Sequence, residues 1–280
     1  MSKVALITGT SSGIGLSTAV LLARSGFTTV ATVREVDKCQ ALRERAQREG
    51  VDLDIQPLEV CDQASVDACI RGALVRHGRI DVLVNNAGVG HLGTIEQTPI
   101  EEAQRHFDVN FFGVYRVTQA VIPSMRAARS GRIITVASIN GVVGVPFNDV
   151  YNASKFAVEG LMEGLAPVMA RFGVRVSIIE PGPVKTEFLA TREAHRARQA
   201  PSGDDPYKPL LEAYGAALAG RMSVAQTGDE VAAVILEAAT AEAPHLRYQT
   251  SDFARSIAAR VRVDPSGDAI LKQTNAQIGE

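Results

Sequence analysis

Short aliphatic and β-branched runs alternate with longer helix-forming stretches along most of this 280-residue chain. The runs are Val4–Thr8, Thr28–Val33, Leu53–Leu58, Asp81–Asn85, Arg132–Ala137, Val174–Ile179 and Leu246–Gln249. They lack strict period-2 alternation, the pattern expected of parallel strands covered on both faces. Helix-period stretches lie near 14–25, 37–49, 64–77, 101–128, 150–171 and 228–240. This rhythm predicts an α/β fold: a doubly wound parallel sheet of seven strands with helices on both faces, in one domain over 1–280. Ligands of such sheets sit at the carboxyl ends of the strands, near the point where strand order reverses.

One stretch breaks the rhythm. Residues 187–226 hold no convincing strand, and carry Arg and Ala clusters and the loop 200–206. Connections of that length are often binding loops, and this one follows a strand end where a ligand is expected, so about 187–226 is read as a substrate lid with a helical segment. The net charge is -2, which gives no reason to expect binding to nucleic acid or to anionic membranes. Cys39, Cys61 and Cys69 form no CxxC pair, a sparse usage that fits a reducing compartment. No apolar run approaches the ~20 residues that span a bilayer, so a cytoplasmic protein without a membrane anchor is expected. His77, His91, His106, His195 and His245 show no metal spacing; they are read as surface or core residues, with His195 a candidate for the lid.

The chemistry begins directly after the first strand, in Thr8-Gly9-Thr10-Ser11-Ser12-Gly13-Ile14-Gly15. Gly9 can turn the chain sharply, while Gly13 and Gly15 allow backbone to approach a pyrophosphate and the helix to pack on the strand. The helix N-terminus that follows offers free N–H groups and a positive dipole end. In NAD sites an acid usually closes the second strand to hold the ribose 2′-hydroxyl. Here that strand ends at Val33 and the next residue is Arg34, which fits the 2′-phosphate of NADP(H) in preference to NAD(H), with Ser11 and Ser12 as added donors. The competing assignment gives the ribose to Glu35 or Asp37.

Tyr151 and Lys155 are four residues apart on a helix and share a face. A free phenol has a pKa of about 10, and a neighbouring ammonium favours its phenolate. Ser138, delivered from a strand end, can hold a carbonyl oxygen beside that phenol. Together the three can pass a proton to or from a carbonyl/alcohol pair. Val142, Val143, Val145, Pro146 and Phe147 follow Ser138 and are expected to wall the site with apolar surface, with Val145 and Phe147 as substrate contacts beside Ser138 and Tyr151.

Thr8-Gly9-x-x-x-Gly13-Ile14-Gly15, Asn85-Asn86-Ala87-Gly88, Asn110, Ser138, Tyr151-x-x-x-Lys155 and Pro181-Gly182 occur in this order along almost the whole chain. In this the chain resembles the short-chain dehydrogenase/reductase family. Gly144 to Tyr151, Ala153 to Ala157, Gly182-Pro183-Val184 with Thr186, Leu246-Arg247-Tyr248 and Asp264-Pro265-Ser266-Gly267 resemble its 17β-hydroxysteroid dehydrogenase/retinol dehydrogenase-like branch. The resemblance implies a Rossmann-type fold and NADP(H). It implies Tyr151 as general acid/base, Lys155 lowering its pKa and bonding the nicotinamide ribose, Ser138 polarising the substrate oxygen, and Asn110 holding a relay water toward Lys155. Asn86, Ala87 and Gly88 are implied to line the cofactor groove, and Pro181, Val184 and Thr186 to contact the nicotinamide end. Glu59-Val60 stands where many relatives carry an adenine-binding Asp-Val, so Glu59 is a departure.

The expected activity is interconversion of a hydrophobic alcohol with its ketone or aldehyde, a steroid-like substrate being favoured. The stretch 212–220 lacks the histidine that grips the far steroid oxygen in the steroid enzyme, which leaves retinal or another lipophilic carbonyl open. A non-catalytic NADP(H) sensor is the remaining alternative, against which both Tyr151 and Lys155 stand. Apolar residues on more than one face of 101–128 and 150–171 point to a homodimer or homotetramer. Pro167 is expected to kink the end of the second of these helices.

Overall fold

The computed structural model describes residues 2–188, 205–222, 225–263 and 276. Seven parallel strands form the main sheet: β1 (Val4–Ile7), β2 (Thr28–Val33), β3 (Asp54–Pro57), β4 (Val82–Asn85), β5 (Gly131–Val136), β6 (Val174–Glu180) and β9 (Arg247–Gln249). Their order is β3-β2-β1-β4-β5-β6-β9, so the direction of winding reverses between β1 and β4. A second, two-stranded parallel pair joins β7 (Val184–Lys185) to β8 (Gln226–Thr227).

Both faces of the sheet are buried, which explains the missing alternation in the sequence. On one face Leu6, Leu83, Ile133 and Ile178 pack with side chains of α3 (Gln63–His77), α5 (Gly113–Ala128) and α6 (Asp149–Ala170), among them Val117, Met125 and Met162. On the other face Ile7, Val84, Ile134 and Ile179 meet Leu22 of α1 (Gly13–Arg24) and Ile235 of α8 (Gly228–Thr240). Thr227 and Glu230 close a reciprocal capping box at the start of α8. A smaller cluster under β2 includes Leu42 of α2 (Gln40–Glu49).

The structure departs from the sequence-based expectation in three places. The stretch 37–49 is a short 3₁₀ turn, Val36–Lys38, followed by α2. The stretch 101–128 is two helices, α4 (Ile100–Phe107) and α5, joined by a π-helical segment, Asp108–Phe112. Segments of that kind recur where a side chain must leave the regular helical register, and here the displaced residue is Asn110. Within the lid, expected as a helical segment, 208–222 is the helix α7 (Lys208–Met222), while 189–204 and 223–224, with His195 and most of the loop 200–206, lie outside the described residues. A further helix, α9 (Asp252–Val263), follows β9; Asp264 to Gly267 lie outside the described residues. Helix α6 runs unbroken from Asp149 to Ala170 with Pro167 inside it. That proline sits in the last turn, where only one donor is lost.

His91 and His106 are core residues whose rings meet edge to face at 5.0 Å, and all three cysteines are free. No helix among the described residues is long and apolar enough to cross a membrane.

Candidate active site

At the β1/β4 switch point the first loop is tied to both neighbouring strands. Thr8 Oγ1 accepts from the amides of Asn86 and Ala87, each at 2.9 Å. Asn86 Nδ2 donates to the carbonyls of Thr8 and Gly9, each at 2.9 Å. On the other side Thr10 donates through both its amide and its hydroxyl to Thr32 O at 3.0 Å. Gly9 adopts φ +70°, and a Cβ there would stand 2.8 Å from Ala87 Cα, so only glycine fits this crossing. Ser12 is the N-cap of α1 without a side-chain cap bond, and the first turn of α1 holds no acidic residue. The positive end of that helix is therefore open to an anion.

Removing Asn86's amide withdraws two donors from backbone carbonyls next to the glycine loop. Asn86→Ala is expected to cost about 1–3 kcal/mol, read as a lower melting temperature, and to weaken dinucleotide binding in a fluorescence titration. An unchanged titration would separate this clamp from the loop's function.

A cavity of about 510 Å³ opens above this junction. One end is lined by Gly9, Ser11 to Gly15, Arg34, Glu59 and Val60. Its middle is lined by Asn86 to Gly88, Ser138, Tyr151, Lys155, Pro181, Val184 and Thr186. Its far end is apolar, with Val143, Val145, Leu218, Met222, Phe253 and Ile257. Of the residues expected at the site from the sequence, Asn110, Val142, Pro146 and Phe147 do not line this cavity and the others do.

Asn110 is fully buried; its Oδ1 accepts from Val89 N at 2.8 Å, and its Nδ2 donates to Val89 O at 2.9 Å and to Ser154 Oγ at 3.2 Å. It braces the loop after β4 against α6, and none of these three bonds runs to Lys155. Phe147 turns away from the cavity. With φ +62° it directs its ring onto Tyr214 of α7, with centroids 5.7 Å apart, and its carbonyl accepts from Gly93 N at 2.8 Å. Val142 and Pro146 likewise do not line the cavity, whereas Val143 and Val145 do.

The residues that sequence reading missed come mainly from α7 and α9. Tyr214 is buried and its hydroxyl accepts from Asn148 Nδ2 at 2.9 Å, docking α7 over the cavity. Phe188 stacks near Tyr151 with ring centroids 5.6 Å apart. Phe253, Ala254, Ile257 and Ala258 are apolar at helical spacing and are a readable signal for α9.

Ser138 ends β5 as the N-cap of a short turn, its hydroxyl accepting from Asn140 N at 3.1 Å. Lys155 is buried; its ammonium donates to Val136 O at 3.0 Å and lies 5.7 Å from the centre of the Tyr151 ring. Burial pushes the Lys155 pKa down to about 8, and the carboxylate of Glu159 one turn further on pulls the other way. The Glu59 carboxylate accepts from Cys61 N at 3.1 Å. Glu35 pairs with Lys38 at 2.7 Å on the exposed surface, and neither Glu35 nor Asp37 lines the cavity.

A glycine loop at the switch point, continuous with a serine, a tyrosine and a buried lysine, defines an oxidoreductase site for a nicotinamide dinucleotide. A model of the short chain dehydrogenase family matches residues 3–197, and the chain belongs to that family, whose members act on CH–OH groups with NAD(P). It is 38% identical to retinol dehydrogenase 8 of Bos taurus over 98% of this chain and 89% of that one. It is 39% identical to 17-beta-hydroxysteroid dehydrogenase type 1 of Homo sapiens over 98% and 85% of the two chains. Among solved structures, a single-residue variant of actinorhodin polyketide ketoreductase with NADPH superposes with a TM-score of 0.76 at 28% identity, covering 89% of this chain and 95% of that one.

Proposed function

We propose that this protein is an NADP(H)-dependent oxidoreductase that interconverts a lipophilic alcohol and its ketone or aldehyde, with a steroid-like substrate favoured. The observation that carries the reading is the convergence of Ser138, Tyr151 and Lys155 on the apolar half of the cavity that begins at the glycine loop. The dinucleotide fits the loop on two grounds: glycines stand where a Cβ would strike backbone, and the α1 N-terminus has no acid in its first turn. Bound there, the nicotinamide supplies or accepts hydride.

The chain's own groups do the rest. Tyr151 gives a proton to the substrate oxygen in reduction and takes it back in oxidation. Ser138 donates a hydrogen bond to the same oxygen, where charge grows as the carbonyl is reduced. Lys155, charged beside the phenol ring, favours the phenolate. Asn110 holds the loop after β4 at Val89 against α6 and so supports the wall on which the ribose would lie.

Arg34 supports NADP(H). It is exposed at the cavity edge directly after β2, where an NAD enzyme would carry an acid, and the nearest acid, Glu35, is engaged by Lys38. Arg34→Ala is expected to lower the NADPH-over-NADH ratio of kcat/KM by about 10–100-fold, the worth of a charge-assisted bond. An unchanged ratio would remove Arg34 from the 2′-phosphate site.

A retinal-like substrate is the second reading. Leu218, Met222, Phe253 and Ile257 make the far end apolar, which favours a substrate with a hydrocarbon far end. Turnover of a panel of steroid, retinoid and simple aromatic carbonyls with NADPH and with NADH tests both readings. NADPH binding without turnover on any of them would favour the sensor alternative.

The spare apolar face left by Phe112 and Tyr115 on one side and Phe156 and Val168 of α6 on the other supports a homo-oligomer. A sedimentation mass of one chain would count against it.

A further inference from the structure

Below the Tyr151/Lys155 pair lies a charged cluster for which the proposed chemistry has no use. Glu159, one turn after Lys155 on α6, is buried, and its Oε2 accepts from Arg247 Nε at 3.0 Å. Glu180, the last residue of β6, is fully buried, with Oε1 3.3 Å from the same Arg247 Nε and Oε2 accepting from Gln249 Nε2 at 2.7 Å. Arg247 Nη2 also reaches Glu163 Oε2 at 2.6 Å, nearer the surface. Buried carboxylates are costly unless paired, and here one guanidinium from β9 pairs with two of them.

The two carboxylates belong to the elements that build the site. Glu159 extends the face that carries Lys155 and packs beneath the turn after Ser138: a Cβ on Gly141 would meet Lys155 O at 2.9 Å and Glu159 Cγ at 3.1 Å. Glu180 is followed directly by Pro181, whose carbonyl accepts from Ile139 N at 2.9 Å and which lines the cavity. Arg247 itself pairs in register with Ile178, and its strand leads into α9, which supplies Phe253 and Ile257 to the apolar end. One side chain thus connects the helix of the tyrosine and lysine, the strand end at the cavity's middle, and the roof.

We infer that Arg247 is a positioning residue for the Tyr151/Lys155 pair, acting through the buried carboxylates of Glu159 and Glu180. The inference rests on the acid/base role proposed above for Tyr151. Arg247 acts in two ways. It sets α6 against the end of β6, and it offsets the negative charge of Glu159 at Lys155. The charged groups near Glu159 include Lys155 and Glu163 on α6, Glu180 on β6 and Arg247 on β9; the turn Ile139–Gly141 carries no charged residue.

Charge variants test this by the pH profile of kcat/KM for alcohol oxidation with NADP⁺. Glu159→Gln keeps the shape and removes one negative charge from beside Lys155, while Arg247 stays paired with Glu180 and Glu163. The apparent pKa of the acidic limb, on which Tyr151 must lose its proton to act as base, is expected to fall by about 0.5–1 pH unit. Arg247→Gln is expected to lower kcat about tenfold or more through misplacement of the pair, with NADPH affinity retained. Arg247→Lys restores the charge without the two-carboxylate geometry, so the parent profile should return while kcat stays low. A Glu159→Gln profile superimposable on the parent, or a parent-like kcat in Arg247→Gln, overturns the inference. If Arg247→Gln does not fold, the Glu159→Gln profile decides alone. Should Tyr151→Phe retain turnover, the acid/base reading itself fails, which is a different result from a dead Tyr151→Phe beside indifferent Glu159 and Arg247 variants.

Discussion

Tyr151→Phe is expected to lose about 10²–10⁴-fold in turnover, the range typical of a general acid/base, while binding NADPH as the parent does. The substitution removes one oxygen and keeps the ring, so the contact with Phe188 at 5.6 Å and the packing above Lys155 persist. A fall in kcat with an unchanged NADPH fluorescence titration would isolate the proton-transferring hydroxyl. Retention of more than about a tenth of the activity would be incompatible with the role proposed for this residue.

Gly15→Ala is expected to damage the dinucleotide site from within the fold. Gly15 stands in the first turn of α1, and a Cβ there would overlap Gly9 O and Asn86 Nδ2. Those two atoms are hydrogen-bonded to each other at 2.9 Å, so the new methyl group must displace the clamp that holds the loop to β4. Overpacking of this kind costs about 1–3 kcal/mol, and it falls on the loop proposed above to hold the dinucleotide, so NADPH affinity should drop by about 10–100-fold. Gly215→Ala provides the contrast. Gly215 lies exposed on α7, with no atom within 4 Å of an added Cβ. There the change is expected to add about 0.5–1 kcal/mol of stability through helix propensity, with NADPH affinity unchanged. Equal losses in the two variants would mean that the loop's close contact is not what excludes a side chain.

Much of the architecture is legible in the sequence because its causes are local. Seven strands read as short aliphatic runs, since each is buried on two faces, and the long helices between them carry a clear apolar period. The segment around Asn110 is less so. Its deviation into a π-helical turn accompanies bonds to Val89, which lies 21 residues earlier and gives no local sign. A helical lid is expected from the sequence, but the bounds and docking of α7 are not legible there, because its Ala and Gly residues carry no apolar stripe; its docking depends on Tyr214 meeting Asn148 and Phe147. For α9 the signal is present in its i, i+4 apolar pairs, and the roof residues Phe253 and Ile257 go with it.

The sequence by itself determined what a few neighbouring residues can decide. Glycines at a strand-to-helix junction permit a close backbone turn, a tyrosine four residues before a lysine shares its helix face, and Arg34 directly after the second strand is the ground for the 2′-phosphate site proposed above. Only the tertiary structure decided that Asn86 clamps the carbonyls of Thr8 and Gly9 across 78 and 77 residues, that Phe147 leaves the cavity for Tyr214, and that Arg247 joins Glu159 to Glu180. The physical reason is common to all three. A buried polar atom or ring takes whatever partner the strand order brings within reach, and that order is set by sheet closure over the whole chain, not by the residues beside it.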